Sequence, residues 1–263
     1  MTSSRDLIKN VSGWALARMD DRLSYRNCIF VLAHMRCGST ALSNIICSRS
    51  DVSGYGETHV RYDGRGALGR LAINHMRRSG WNRDATYHFD KILHSRHDNR
   101  APPPFFDARA IFILREPEPT IRSITKLYAH LGRKEYNTHE KAGAYFASRL
   151  DALALLWDRF PPASRIGLIH GDLMADPDRA LADISTRLGF DPPLANSYTS
   201  PEASRRGGGG DPIESGKHSR IEPALLRPAR PLDELGLSEP LKDRVINSYE
   251  NLLFRFAAVQ HRQ

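Results

Sequence analysis

The sequence predicts a single-domain α/β protein, a doubly wound parallel sheet carrying a P-loop-like phosphate-binding loop, and three observations lead there. Residues 29–33, Ile-Phe-Val-Leu-Ala, form an apolar run of strand length with no polar alternation, the pattern of a strand buried on both faces. Two more such runs lie at residues 110–114 and 166–169. Segments of helical periodicity follow them at residues 142–160 and 178–188, and strands alternating with helices build a parallel sheet covered on both sides.

From the N-terminus, Leu7, Ile8, Val11, Trp14, Ala15, Ala17 and Met19 recur at near-helical spacing, so residues 4–26 are expected to form an amphipathic helix packed on the domain. Asp20 and Asp21 interrupt any basic face, which argues against a membrane-surface role. The chain is accordingly divided into an N-terminal helical extension, residues 1–27, and one domain, residues 28–263. After the first strand, Gly38 supplies a tight turn, and Ser39 and Thr40 open an apolar-periodic helix through Leu42, Ile45 and Ile46. The strand at 110–114 ends in Arg115, and Ser123 follows eight positions later, near an expected helix start. Residues 191–217, rich in Pro, Gly and Ser, read as a long loop, and loops of that length in compact domains are usually functional or mobile. A terminal helix spans residues 238–256, with Pro240 near its first turn, and the chain has no internal repeat.

Composition narrows the class. With 263 residues and 40% hydrophobic content, the chain can bury one sizeable core. Its apolar runs are too short to cross a bilayer and residues 1–10 lack a signal-peptide hydrophobic stretch, so a soluble cytoplasmic protein is expected. Cys28, Cys37 and Cys47 are an odd number without metal-ligand spacing and fit reduced thiols, Cys37 as a small loop residue. The net charge of +8 comes from scattered Lys and Arg with no nucleic-acid-binding motif, and a small polyanionic ligand accounts for several of the arginines. Among His88, His94 and His97 the last two are three apart, but no third ligand stands at convincing spacing to them, so no metal is expected.

The turn after the first strand carries the chemistry. A strand–turn–helix of this kind aims backbone N–H groups and the positive end of a helix at an anion. Against the nucleoside-triphosphate loop G-x-x-x-x-G-K-S/T, Ala33 replaces the first Gly and Ser39 replaces the Lys that reaches the β- and γ-phosphates. A triphosphate is disfavoured, and the cation has moved to Arg36 inside the loop, where a fork of donors suits a terminal phosphate or an attached sulfuryl group. Arg115 and Ser123 are spaced so that a guanidinium and a hydroxyl can converge on one phosphate.

These segments resemble the sulfotransferases that use 3′-phosphoadenosine 5′-phosphosulfate (PAPS). Residues 30–42 are similar to that family's 5′-phosphosulfate loop, which implies cofactor contacts from Arg36, Cys37, Gly38, Ser39, Thr40 and Ala41. The resemblance implies that Arg115 and Ser123 bind the 3′-phosphate. Residues 205–212 resemble the family's R-K-G-x-x-G-D-W element, placing Arg205, Arg206 and Gly207 on the cofactor with Gly210 and Asp211 in register, although Pro212 stands where an aromatic residue is usual. Lys217 and Ser219 lie just beyond as further candidate contacts. Residues 170–177 resemble the Y-E-D-L-x-x-D-P segment, in which Asp172 is expected to cap or brace the loop after a strand, and Leu188-Gly189-Phe190 resembles the ending of the helix that follows.

Sulfuryl transfer needs a base for the acceptor hydroxyl, cations around the moving group and in-line geometry. Residues 54–60 look most like the G-E-E-T-R stretch of tyrosylprotein sulfotransferases, which implies Glu57 as general base and leaves His59, in place of an Arg, as the rival base. Lys91 falls where related enzymes carry a D-K motif and is expected to bridge phosphate and sulfuryl oxygens, although Lys on a strand is ordinarily at the surface. The resemblance thus implies a bacterial cytoplasmic PAPS-dependent sulfotransferase that releases adenosine 3′,5′-bisphosphate and sulfates a carbohydrate, glycolipid or small natural product, with no nucleic-acid partner and no integral membrane contact. Two rivals are a nucleotide-dependent phosphotransferase on the same framework and a non-catalytic PAPS- or nucleotide-binding module.

Overall fold

A computed structural model of the chain describes residues 4–64, 66–202, 218–223 and 230–260. Every residue of the first strand, β1 (Cys28–Ala33), is buried, as expected of a strand with neighbours on both edges and helices against it. The other strands are β2 (Val52–Ser53), β3 (Tyr87–Ile92), β4 (Arg109–Leu114) and β5 (Arg165–Ile169). All pair in parallel in the order β2-β3-β1-β4-β5. Their register aligns the carboxyl ends: Leu32 lies opposite Ile92, Ala33 opposite Ile113, and Leu114 opposite Ile169. The chain leaves β1 toward one side of the sheet and β4 toward the other, which opens a crevice at their carboxyl ends.

The helices among the described residues are α1 (Ser4–Met19), α2 (Ser39–Cys47), α3 (Ala67–Arg77), α4 (Pro117–His130), α5 (His139–Arg159), α6 (His170–Ala175), α7 (Pro177–Leu188) and α8 (Glu239–Gln260). Proline at the first position starts α4 and α7, where its missing N–H costs nothing. Thr138 caps α5 through the Lys141 amide, and Gly189, at φ 67°, ends α7 in the left-handed conformation. The N-terminal helix is shorter than its periodicity suggests, ending at Met19 ahead of a turn and a 3₁₀ segment at Tyr25–Asn27. It lies on α3 at backbone distance: a Cβ on Gly69 would collide with the carbonyl of Gly13. No described helix is long and apolar enough to cross a membrane.

Sequence periodicity does not reveal β2 or β3. β2 has two residues, and β3 reads Tyr-His-Phe-Asp-Lys-Ile, in which three polar side chains break the apolar run although His88, Asp90 and Lys91 are all buried. Around the sheet the core is aromatic, with Phe30 stacked on Phe105 at 4.5 Å and Trp157 edge-on to Phe112 at 5.1 Å.

Candidate active site

The residues that follow the aligned strand ends face one another: His34 after β1, Leu93 after β3, Arg115 after β4 and His170 after β5. His34 is fully buried and joins two of these ends. Its Nε2 accepts the Arg115 amide at 3.1 Å, so Nδ1 carries the hydrogen and donates to the Met35 carbonyl at 2.9 Å. Burial holds its pKa down to about 3, which keeps that neutral tautomer. The Met35 amide donates to the Tyr145 hydroxyl at 2.9 Å, and that hydroxyl donates to the Leu93 carbonyl at 2.8 Å.

The turn itself needs two residues in the left-handed region, Arg36 at φ 63° and Gly38 at φ 82°. A non-glycine residue there carries strain on the order of 1 kcal/mol or more, and such strain tends to sit at ligand sites. At Gly38 a side chain is excluded, since a Cβ would lie 2.9 Å from the His170 ring.

One cavity of about 550 Å³ takes in this turn, and Arg36, Gly38, Ser39, Thr40, Ala41, Glu57, His59, Lys91 and Arg115 all line it. Cys37 is fully buried and its side chain does not reach the cavity; burial pushes its thiol pKa up, as suits an inert loop residue. Lys91 is not a surface lysine. Its side chain is 1% exposed, and its ammonium lies 3.3 Å from a Glu57 carboxylate oxygen and donates to the Thr40 hydroxyl at 3.2 Å. It therefore joins the turn after β1 to the carboxylate. The other oxygen of Glu57 lies 4.0 Å from His59 Nδ1, and His59 is the more exposed of the two.

Arg115 and Ser123 meet on Arg36 rather than side by side. Arg36 Nε donates to Ser123 Oγ at 2.9 Å, and Arg115 Nη1 donates to the Arg36 carbonyl at 2.8 Å. Ser123 sits in the second turn of α4, deeper in the helix than its sequence position suggests. Desolvation lowers the Arg115 pKa. Arg205, Arg206 and Gly207, with Gly210, Asp211, Pro212 and Lys217, lie outside the described residues. His218 lines the cavity, whereas Ser219 accepts the Tyr198 amide through its carbonyl at 2.7 Å. Asp172 does not act as the expected cap: it is exposed on α6, and Asp176 caps α7 by accepting the Arg179 amide at 3.0 Å. Of the three histidines weighed as metal ligands, His88 stacks on Trp81 at 5.7 Å, while His94 and His97 face each other edge-on at 6.4 Å. No three metal-ligating side chains cluster among the described residues.

Several contributors are not evident from sequence. Asp90 is buried and accepts from the Thr58 amide at 2.8 Å, the Thr58 hydroxyl at 2.7 Å and the Tyr62 hydroxyl at 2.7 Å, bracing the segment that bears Glu57 and His59. Arg149, on α5, donates to the Ala33 and Ile92 carbonyls at 3.0 and 2.9 Å and to both oxygens of Asp98. The buried Nδ1 of His170 has no hydrogen-bond partner among the described residues, and its ring lines the cavity beside the turn.

No protein-family model and no curated protein sequence matches the chain. Solved structures do. The sulfotransferase domain of the Synechococcus PCC 7002 olefin synthase aligns over 86% of this chain and 94% of its own, at 19% identity and a TM-score of 0.54. The sulfotransferase domain from the curacin biosynthetic pathway aligns over 85% of this chain and 96% of its own, at 16% identity and a TM-score of 0.52. With its five-stranded parallel sheet and flanking helices, the chain has the sulfotransferase fold.

Proposed function

We propose that the protein is a PAPS-dependent sulfotransferase acting on a hydroxyl group of a small molecule, with Glu57 as general base. The observation that carries this reading is Lys91, which stands between the Thr40 hydroxyl of the turn and the Glu57 carboxylate, at 3.2 and 3.3 Å. A second cation, beside Arg36 of the turn, arrives from β3, next to a carboxylate suited to receive a proton.

The residues present fit a polyanionic nucleotide. Three cations, Arg36, Lys91 and Arg115, line the cavity together with the N-terminus of α2, and a buried imidazole nitrogen of His170 lacks a partner among the described residues. PAPS supplies an activated sulfuryl group, whose bond to the 5′-phosphate breaks as a bond to the acceptor oxygen forms. Arg36 and the amides that follow it hold the phosphosulfate, and Arg115 the 3′-phosphate. Lys91 stabilises negative charge between them. Glu57 takes the acceptor proton, a task for which reach matters more than an extreme pKa.

Calorimetric titration with adenosine 3′,5′-bisphosphate, beside ATP and AMP, tests the nucleotide site. Selective binding of the bisphosphate, weakened roughly ten-fold or more by Arg115→Ala, is expected. Preference for ATP with magnesium would replace this reading with a phosphotransferase. Transfer of labelled sulfate from PAPS to a panel of alcohols and phenols then tests the chemistry. Glu57→Gln should keep bisphosphate affinity and lower turnover by ~10²-fold or more; unchanged turnover would remove Glu57 from the role, and bisphosphate binding with no transfer to any acceptor would mark a binding module.

A further inference from the structure

The cavity extends beyond the nucleotide-facing residues, and its outer part differs in character. Leu93, Leu127 and Tyr128 line it, with Leu131 40% exposed at the end of α4. The ring of Tyr136 adds a wall, packed edge-on to Tyr128 at 4.8 Å and roughly parallel to His94. These surfaces suit an apolar or aromatic body. Two exposed arginines, Arg96 and Arg133, share the outer part with a single described acid, Glu135.

The histidines do not supply positive charge there. Burial, followed by the nearby Arg96 guanidinium, holds His94 to about 3 and His97 to about 4, so both are neutral at physiological pH. Arg96 spends its Nε on His97 at 3.2 Å, which leaves its two terminal nitrogens as a fork. The inner cations are engaged, Arg36 with Ser123, Arg115 with the Arg36 carbonyl and Lys91 with Thr40 and Glu57, whereas Arg96 and Arg133 line the cavity alongside Leu127, Tyr128 and Tyr136.

Resting on the sulfotransferase reading, we propose that the acceptor is a hydroxyl compound with an apolar body and an anionic group, the hydroxyl lying at Glu57 and the anion between Arg96 and Arg133. An uncharged acceptor would take its affinity from the apolar wall alone, whereas a carboxylate, sulfate or phosphate gains charge-assisted bonds from either guanidinium. Both arginines are exposed, so each contributes modestly and the pair together sets the preference.

The test uses full-length protein saturated with adenosine 3′,5′-bisphosphate and two probes of equal length, ω-hydroxydecanoate and decane-α,ω-diol, titrated calorimetrically. The hydroxy acid is expected to bind roughly ten-fold or more tightly than the diol. In the Arg96→Gln/Arg133→Gln variant that advantage should disappear while bisphosphate affinity stays the same, which also reports an intact fold. Equal binding of the probes, an advantage that survives in the variant, or binding of neither probe overturns the proposal and leaves the sulfotransferase reading standing. Failure of wild-type protein to bind the bisphosphate at all would overturn both.

Discussion

Asp90 and Lys91 are successive residues of β3, and their side chains leave the strand on opposite faces, as its geometry requires. Lys91 reaches the turn and Glu57; Asp90 receives three hydrogen bonds from Thr58 and Tyr62. The Glu57 segment is thus held from both sides, with the Lys91 amide also donating to the Gly56 carbonyl at 3.1 Å. Desolvation pushes the Asp90 pKa up to about 7, against the opposing pull of its donors. A carboxyl whose folded pKa is raised contributes stability that is fully present below its unfolded value of 3.8 and is lost as pH rises through about 7. Asp90→Asn carries no such titration, so between those limits wild type should lose thermal stability relative to the variant. Parallel melting curves across that range would contradict the raised pKa. The same substitution weakens the brace on Thr58, and turnover should fall roughly ten-fold with bisphosphate affinity unchanged.

At the scale of elements, the site depends on strand ends being held in line. Arg149 does this from α5, binding the last carbonyls of β1 and β3 while its charge is matched by Asp98, with both side chains fully buried. Replacing Arg149 with Met leaves Asp98 buried without its cation. Such a loss costs about 3–5 kcal/mol, a large share of a domain's stability. A marked drop in the urea midpoint is expected, and a loss of unfolding free energy smaller than about 1 kcal/mol would mean that solvent reaches Asp98 in the variant. Arg149 lies in a segment whose helical periodicity is legible, yet its role is not. An arginine inside an amphipathic helix normally marks the solvent face, and its inward direction follows from the unpaired carbonyls at the strand ends.

For the molecule as a whole, the buried imidazoles govern behaviour in acid. His34, His75 and His94 are held to about 3, and His88, His97 and His170 to about 4, chiefly by burial, against 6.5 for an open imidazole. A histidine whose folded pKa is depressed contributes stability present above its unfolded value and lost as pH falls toward the folded one. The unfolded chain takes up these protons first. Asp90 and Asp98, whose carboxyl pKa values burial raises, work in the opposite direction but are two groups against six. The thermal midpoint should therefore drop steeply as pH falls from about 6.5 to about 4, and a flat profile over that interval would show that the histidines protonate without unfolding.

The sequence by itself determined the parallel sheet, through the unbroken apolar runs of β1, β4 and β5, and the tight turn after β1, through Gly38 and the helix that follows. Those signals are local: a strand buried on both faces must be apolar along its length, and a left-handed turn favours glycine. Tertiary structure alone decided that β3 is an inner strand, because the burial of His88, Asp90 and Lys91 rests on partners distant in sequence. It also decided that Lys91 stands between Thr40 and Glu57, that Ser123 holds Arg36, and that Asp172 lies exposed on α6 instead of bracing the loop after β5. A charged side chain is stable in a buried place when a partner meets it there, and for Lys91 and Arg149 that partner comes from another stretch of chain, so no reading of neighbours in sequence reveals it.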